Sequence, residues 1–269
     1  MVHYFVLMIN FYQFLYINIR FFIKKILFLK QRIFQQPQDL EEVVLVGHRL
    51  LEHLNKVNLV PTLSTKRNLD LKKSIYDLEF ENPLTFSSYE SNIEILDLFF
   101  KLGIAGGCYK TMMKAKRSGN LRPRLQEIVY KGNKSLINAM GLPGLGAESA
   151  IHSILNSSLL SYKKPLGLSI GGESPDDYYN TFMIYENNIS KLSYPFYYEL
   201  NISCPNTDKG QLLTTNIALL EQLINKIRLK TNRVISIKLS PDQTDEHILQ
   251  IVKGLNASPV AIPIRLAPF

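Results

Sequence analysis

The spacing of apolar residues changes about a quarter of the way along the chain. Residues 4–19 are almost continuously apolar, and residues 40–55 carry apolar side chains at helical spacing, so this part of the chain predicts helices. From about residue 75, short apolar runs alternate with amphipathic stretches and turn residues. Such alternation predicts parallel strands that are connected by crossover helices.

The second region divides into predicted strands and helices. Strands are predicted at 78–88, with a break at Asn82-Pro83, at 103–109, 166–170, 197–203 and 234–239, and a sixth begins at 257–262. Helices are predicted at 92–102, 175–185, 216–229 and 244–255. Residues 263–269 have the pattern of neither element.

These elements predict an α/β fold of the (β/α)8 TIM-barrel type, in incomplete form, with five to six of the eight strands. Residues 1–74 are expected to form an N-terminal helical extension, and residues 75–269 the barrel domain. A barrel of eight units takes about 250 residues, and fewer than that follow the extension. The chain is therefore expected to be a truncated copy.

Charge and cysteine content narrow the classes of function. The formal net charge is +8, and its bases cluster in residues 1–38 and 110–134 without any nucleic-acid-binding motif. An anionic membrane surface and an anionic ligand are expected as partners, and nucleic acid is not. Cys108 and Cys204 form no CxxC pair, and no histidine cluster accompanies them, so neither a disulfide framework nor a metal site is predicted.

Residues 4–30 are expected to bind a membrane surface. The apolar run is shorter than the roughly 20 residues of a spanning helix, and Asn10, Gln13, Arg20 and Lys24 fall on one stripe of a helical wheel. This pattern favours a helix that lies in the membrane interface. The expected location is cytoplasmic and peripheral, on the inner face of the cell membrane. The alternative is a helix that packs on another part of the same protein.

The predicted strand at 197–203 ends in a polar turn that contains a thiol. Cys204 follows this strand, and the carboxamides of Asn201 and Asn206 flank it. Residues at the carboxyl ends of barrel strands point into a shared pocket. The turn is therefore a candidate reaction site.

Five segments of the chain together resemble the dihydroorotate dehydrogenase family. They occur in the family's order and at about its spacing, at residues 82–92, 108–124, 138–143, 201–207 and 236–239. The combined set is more specific than any one segment. The segment at 201–206 alone is also similar to one in dihydropyrimidine dehydrogenase.

The resemblance implies a flavin mononucleotide (FMN) enzyme that oxidises dihydroorotate to orotate in pyrimidine biosynthesis. Cys204 matches the position of the family's general base, which removes a proton while a hydride passes to the flavin. A cation-rich pocket would draw a thiol, whose usual pKa is about 8.5, toward the thiolate.

The resemblance also assigns roles to other residues. The groups that match substrate ligands are the side chains of Asn138, Asn201 and Asn206 and the backbone of Met140, Gly141 and Leu142. The groups that match the flavin site are Ser87, Ser88, Lys110, Asn201 and Lys238. A lysine there would favour the reduced, anionic ring.

Several alternatives stay open at this point. The electron acceptor is quinone, fumarate or NAD, and a homodimer is one open assembly state. The second reading of function is a remnant without catalytic activity, or a binding protein, that holds no flavin; a dihydropyrimidine dehydrogenase-like flavoprotein is a third.

Cys108 is expected to be a buried core thiol, while Arg122 and Arg124 are expected on a solvated face. Tyr89, where the family has glycine, would crowd the flavin or turn outward.

Overall fold

The computed structural model describes residues 2–57, 71–203, 212–240, 242–255 and 264–266, with backbone alone for residues 2–12, 212 and 264–266. The chain divides into two compact units. Unit 1 comprises Met1–Val57 and Asn120–Met140, and unit 2 comprises Asn58–Gly119 and Gly141–Phe269. The sequence did not indicate that residues 120–140 join the N-terminal helices.

The elements follow in chain order. The helices are α1 (Val2–Ile33), α2 (Glu41–Lys56), α3 (Ile93–Lys101), α4 (Ala147–Leu155), α5 (Pro175–Ile189), α6 (Leu212–Thr215), α7 (Ile217–Arg228) and α8 (Asp245–Leu255). The strands are β1 (Lys73–Ile75), β2 (Leu78–Phe80), β3 (Thr85–Phe86), β4 (Gly106–Met112), β5 (Leu125–Tyr130), β6 (Asn133–Asn138), β7 (Leu166–Ile170), β8 (Phe196–Asn201), β9 (Ile235–Leu239) and β10 (Ile264–Leu266). A 3₁₀ helix at Ser158–Tyr162 precedes β7.

Unit 2 is built on a six-stranded parallel sheet. Its strands lie in the order β10-β9-β8-β7-β4-β3, so each strand after β3 is hydrogen-bonded to the preceding strand of this sheet. Sequential parallel strands with helical crossovers are the arrangement of an α/β barrel, and the described part of the chain contains six such strands. The predicted incomplete barrel is thereby confirmed.

The two faces of this sheet differ in chemistry because side chains alternate along each strand. In β8, Phe196, Tyr198 and Leu200 belong to the large apolar core that the crossover helices cover. Tyr197, Glu199 and Asn201 project from the opposite face. Hydrophobic burial against the helices therefore fixes which residues of each strand line the inner face.

Most predicted helices are confirmed within two residues of their bounds. The structural reason is local: α3 begins after Asn92, whose side chain accepts a hydrogen bond from the backbone N–H of Glu94. In the same way, Ser174 accepts from the N–H of Asp177 at the start of α5. Helix α5 runs four residues beyond the predicted end at residue 185.

Two predictions of secondary structure need correction, and a third is not tested. The strand predicted at 103–109 begins at Gly106 instead, because Gly103 has a positive φ of 92° and belongs to the turn after α3. Ile264–Leu266 was expected to be neither strand nor helix, but it pairs with β9 as β10. The sixth strand predicted at 257–262 lies outside the described residues.

Unit 1 contains α1, α2 and the antiparallel hairpin of β5 and β6. The expectation that Arg124 lies on a solvated face was wrong: its side chain is 11% exposed and forms hydrogen bonds of 2.7 and 2.8 Å to Glu41. Arg122 donates to the same carboxylate at 2.9 Å, although it stays more exposed. These cations link the segment before the hairpin to the start of α2. They lower the pKa of Glu41 from 4.5 to about 2, chiefly through the bond from Arg124.

The first helix is confirmed as a helix, and it runs to Ile33. Among the described residues, no helix combines the length and the apolar character that crossing a bilayer requires.

Candidate functional site

Polar side chains collect on the inner face of the sheet toward the carboxyl ends of its strands. Asn201 lies beside Lys238 in the pairing of β8 with β9, and one step earlier Ser169, Glu199 and Ser236 lie side by side on β7, β8 and β9. Apart from Lys238, which is half-buried, these residues are buried. Since a buried polar group is costly unless it has a partner, such a layer must be internally hydrogen-bonded.

A bulge in β4 aims a further hydroxyl into this layer. The register of β4 with β7 shifts between Tyr109 and Met112, so that Lys110 and Thr111 together lie opposite Ser169. A bulge inserts one extra residue into a strand and redirects its side chains. Thr111 is therefore placed to contact Ser169 and Asn201.

Four of these side chains form a continuous buried relay of hydrogen bonds. Asn201 Nδ2 donates to Thr111 Oγ1 at 2.8 Å, and the hydroxyls of Thr111 and Ser169 lie 2.8 Å apart. Ser169 donates to Glu199 Oε1 at 2.9 Å. Because the Ser169 proton is used toward Glu199, the Thr111 hydroxyl donates to Ser169, and the direction of the whole chain is fixed.

The relay uses the Nδ2 atom of Asn201, and the Oδ1 atom of the same amide forms separate hydrogen bonds just after the end of β8. Asn201 Oδ1 accepts from Ser203 Oγ at 2.7 Å and from the Ser203 backbone N–H at 3.4 Å. The Tyr178 hydroxyl, on α5, donates to the Asn201 backbone carbonyl at 2.8 Å. Both the orientation of the amide and the position of its backbone are thus held from within unit 2.

Two lysines converge on the segment that follows β3. Lys238 Nζ donates to Ser88 Oγ at 3.5 Å, and Lys110 Nζ donates to the Tyr89 backbone carbonyl at 3.3 Å. Ser88 is 7% exposed, while the Tyr89 side chain is 56% exposed. Partial burial raises the pKa of Tyr89, and the neighbouring Glu90 adds to this effect. The predicted flavin-site residues Ser88, Lys110 and Lys238 are therefore brought together.

Below this layer, close packing replaces polar contacts. Gly167 lies between Cys108 and Tyr197 in the strand pairing, and a Cβ at Gly167 would lie 2.4 Å from the Tyr197 ring and 2.8 Å from Cys108 Sγ. The Tyr197 hydroxyl donates to the Gly107 carbonyl at 3.1 Å. Cys108 is fully buried in this contact, as the sequence predicted.

The remaining predicted residues are distributed as follows. Cys204 and Asn206 lie outside the described residues. Asn138 ends β6 in unit 1 and is exposed, and Met140 is the last residue of that unit. Ser87 is half-buried, next to Ser88.

The predicted carboxylate loop has an unusual backbone. Gly141 and Leu142, the first residues of the second segment of unit 2, have positive φ angles of 68° and 52°. A positive φ is uncommon for a branched residue such as leucine, and strain of this kind concentrates at functional sites. In the described part of the chain, Gln35, Tyr76, Lys131 and Lys163 also have positive φ angles.

Sequence reasoning missed Thr111, Ser169 and Glu199. One signal was present: within the apolar runs at 166–170 and 196–201, the residues that alternate with large apolar ones include Ser169, Glu199 and Asn201. A charge inside an apolar strand is rarely tolerated without a partner, so Glu199 marked a buried polar layer.

Comparison with known proteins places the chain in a family. A sequence model described as dihydroorotate dehydrogenase matches residues 70–262. The chain is 29% identical over 180 residues to the catalytic subunit of dihydroorotate dehydrogenase B (NAD(+)) from Carboxydothermus hydrogenoformans, covering 66% of this chain and 56% of that protein. It is 26% identical over 192 residues to dihydroorotate dehydrogenase (quinone) from Thermus thermophilus, covering 68% and 52%. A putative dihydroorotate dehydrogenase A (fumarate) from Aquifex aeolicus is 26% identical over 180 residues, with 66% and 56% covered. The chain thus spans about half the length of these curated relatives.

Solved structures agree on the fold. The Eimeria tenella dihydroorotate dehydrogenase in complex with ferulenol superposes with a TM-score of 0.61 at 19% sequence identity, covering 80% of this chain and 64% of that one. The ligand-free type from the same organism gives a TM-score of 0.58, also at 19% identity, with 79% and 67% covered. The matching family model covers well over half of the chain, and the superposed structures have the same fold. The chain therefore belongs to the dihydroorotate dehydrogenase family.

Proposed function

We propose that this chain is a dihydroorotate dehydrogenase-like flavoenzyme, which oxidises dihydroorotate to orotate in pyrimidine biosynthesis. The observation that carries the proposal is the convergence of Lys110, Lys238 and Ser88, with Asn201 beside Lys238, at the carboxyl ends of the strands. Strand ends are where barrel enzymes hold their catalytic groups.

The donors on the inner face fit the polar edge of a flavin. Two ammonium groups, a buried hydroxyl and a buried carboxamide offer several hydrogen-bond donors and fixed positive charge. Lys110, Lys238, Ser87, Ser88 and Asn201 would hold FMN, which when bound supplies an acceptor for the substrate's hydride. Positive charge from Lys110 and Lys238 at this edge would favour the reduced, anionic ring.

The chain's own residues would handle the proton and the substrate. Cys204, as thiolate, would take the proton from the ring carbon of dihydroorotate while the hydride leaves from the adjacent carbon. Asn138, Asn201 and Asn206 would bind the ring's amide and carbonyl groups, since a carboxamide offers both a donor and an acceptor. The backbone of Met140, Gly141 and Leu142 would receive the carboxylate.

The final electron acceptor is quinone, fumarate or NAD. The names of the relatives divide among these three acceptors, so the relatives single out none of them. An assay that supplies each acceptor to the reduced protein identifies the one that reoxidises it fastest.

The proposal includes association with the cell membrane through the first helix. Residues 4–30 would lie on the inner face of the cytoplasmic membrane, because α1 carries bases and no acid and exposes large apolar side chains. A homodimer is included as an assembly state to be tested by sedimentation velocity.

The test is a visible absorption spectrum of the purified chain after FMN has been added and the excess removed. A retained flavin band that bleaches with dihydroorotate, and fails to bleach in Cys204→Ala, supports the enzyme and its base together. A folded chain that retains no flavin favours the non-catalytic remnant instead. Bleaching by dihydrouracil, with none by dihydroorotate, would point to the dihydropyrimidine dehydrogenase-like alternative.

A further inference from the structure

Unit 1 exposes apolar side chains on two elements that are bonded to each other. Along α1, the residues Phe14, Ile17 and Phe21 repeat at helical spacing and are 47–66% exposed, and Ile17 and Phe21 line the groove between the helix and the hairpin. On the hairpin of β5 and β6, Val129, Tyr130, Leu136 and Ile137 are 52–72% exposed. Lys24 of α1 binds Glu127 of β5 at 2.6 Å, so the helix and hairpin are linked. A contiguous apolar surface of this kind marks an interaction site.

The hairpin is apolar on both faces. Val129 and Leu136 belong to the face that carries Glu127, because Glu127 pairs with Leu136 and Val129 lies two residues beyond it on β5. Tyr130 and Ile137 belong to the opposite face. A hairpin that covers a protein core is apolar on one face only. Exposure of apolar groups on both faces fits a hairpin that enters an apolar phase at its tip.

Bases surround this apolar surface. A groove of about 610 Å³ between α1 and the hairpin is lined by Arg20, Lys24, Lys25 and Lys134 together with Phe21, Phe28 and Leu136, and its acid is Glu127. The hydrogen bond from Lys24, followed by the charges of Lys24, Lys134 and Arg20, lowers the pKa of Glu127. At the hairpin tip, Lys131 Nζ lies 5.4 Å from the centre of the Tyr130 ring. Tyrosine and lysine at an apolar tip are typical of the boundary between lipid headgroups and acyl chains.

The positive charge around this apolar surface favours anionic phospholipid over a second copy of the chain as its partner. Helix α1 contains no aspartate or glutamate, so pairing two copies of its apolar stripe would bring bases against bases. Anionic phospholipid offers the complementary charge together with an apolar phase. We propose that the β5–β6 hairpin is a second membrane-inserting element, which enters an anionic phospholipid surface beside α1; this rests on the membrane association in the proposed function and adds a new site to it.

Insertion of the hairpin is shallow. A two-stranded hairpin has unpaired backbone groups along both outer edges, and these do not enter the hydrocarbon core. Val129 and Tyr130 at the tip therefore lie at the headgroup boundary, about 5–10 Å deep. Leu136, which is two strand pairs behind Val129, lies nearer the surface. The groove's cations then face the lipid phosphates.

The absence of tryptophan from the sequence gives a direct test. In Tyr130→Trp, binding to vesicles of phosphatidylglycerol and phosphatidylcholine is expected to shift the emission to shorter wavelength, and shallow brominated acyl chains are expected to quench it. Tyr76→Trp is the matched control, since Tyr76 is 65% exposed in the turn of the β1–β2 hairpin of unit 2, against 60% for Tyr130. Its emission is expected to stay unchanged. Equal quenching at both positions would mean general adsorption and would overturn the proposal.

A second pair of variants measures affinity by vesicle co-sedimentation. Val129→Ser with Leu136→Ser is expected to weaken binding to anionic vesicles at least tenfold. Leu121→Ser is expected to have no effect, although Leu121 is 94% exposed in the same unit, because it lies outside the hairpin.

The outcomes separate this inference from the membrane association on which it rests. Unchanged co-sedimentation in the double serine variant, with no quenching of the indole in Tyr130→Trp, would leave α1 as the membrane element and refute the role of the hairpin. No co-sedimentation of the unmodified chain would refute both. A lipid-free dimer that the hairpin serines dissociate would assign the surface to a second copy instead.

Discussion

Removing the hydroxyl of Thr111, which lies in the middle of the relay, should lower the free energy of unfolding more than removing the methyl group of the same side chain. Thr111 is 2% exposed and bonds to both Asn201 and Ser169, which are 3% and 0% exposed. In Thr111→Val the shape is kept, but the Asn201 amide loses its acceptor and Ser169 loses its donor. A buried polar group left unsatisfied costs about 1–3 kcal/mol, so the free energy of unfolding is expected to fall by about 2–3 kcal/mol.

The control keeps the hydroxyl. Thr111→Ser loses one methyl group and is expected to cost about 1 kcal/mol. Urea unfolding followed by circular dichroism measures the stability of both variants. The two values can be compared if the slope of the unfolding free energy against urea concentration is the same in both variants. If the valine variant were as stable as the serine variant, the relay would contribute no net stability and the reasoning would be refuted.

A double-mutant cycle tests the relay more directly. Thr111→Val and Asn201→Ala should be coupled by about 1 kcal/mol or more, because both substitutions remove the same hydrogen bond. In protein that retains FMN, Thr111→Val should also weaken the binding of orotate, since the Asn201 amide is no longer held in one orientation. Thr111→Ser should bind orotate as the unmodified chain does.

Three further outcomes follow from the structure. Because the pKa of Glu41 is lowered from 4.5 to about 2 in the folded chain, its ion pair stabilises unit 1 above pH 4.5 and loses this contribution as the pH falls toward 2. The pair is partly exposed to solvent, so we expect about 1 kcal/mol, measured as a pH-dependent difference in unfolding free energy from Glu41→Gln. Gly167→Ala should destabilise unit 2 by about 3 kcal/mol in a thermal melt, because the added Cβ would lie 2.4 Å from the Tyr197 ring, whereas Gly47→Ala, with nothing within 4 Å, should not. Lys238→Met should weaken FMN binding about tenfold in a fluorescence titration through the loss of one charge-assisted hydrogen bond, and Lys238→Arg should restore part of it.

The sequence determined the elements whose evidence is local. An apolar face repeats every three to four residues in a helix and every two residues in a half-buried strand, so α2, α7, β7 and β9 could be placed within two residues. The order of strands and helices then predicted a parallel barrel. The motifs also selected Ser88, Lys110 and Lys238 as candidate flavin ligands, and the fold brings these three residues together.

Tertiary structure alone decided the contacts between distant segments. Asn201 and Thr111 lie 90 positions apart, and their bond depends on a bulge in β4 that no local pattern marks. Arg124 was expected in solvent because a basic stretch is usually solvated, but Glu41, 83 positions away, supplies its partner. Periodicity shows which side of an element is buried, because burial acts on each residue separately. A hydrogen bond or ion pair needs two residues at once, and only the folded chain brings them together.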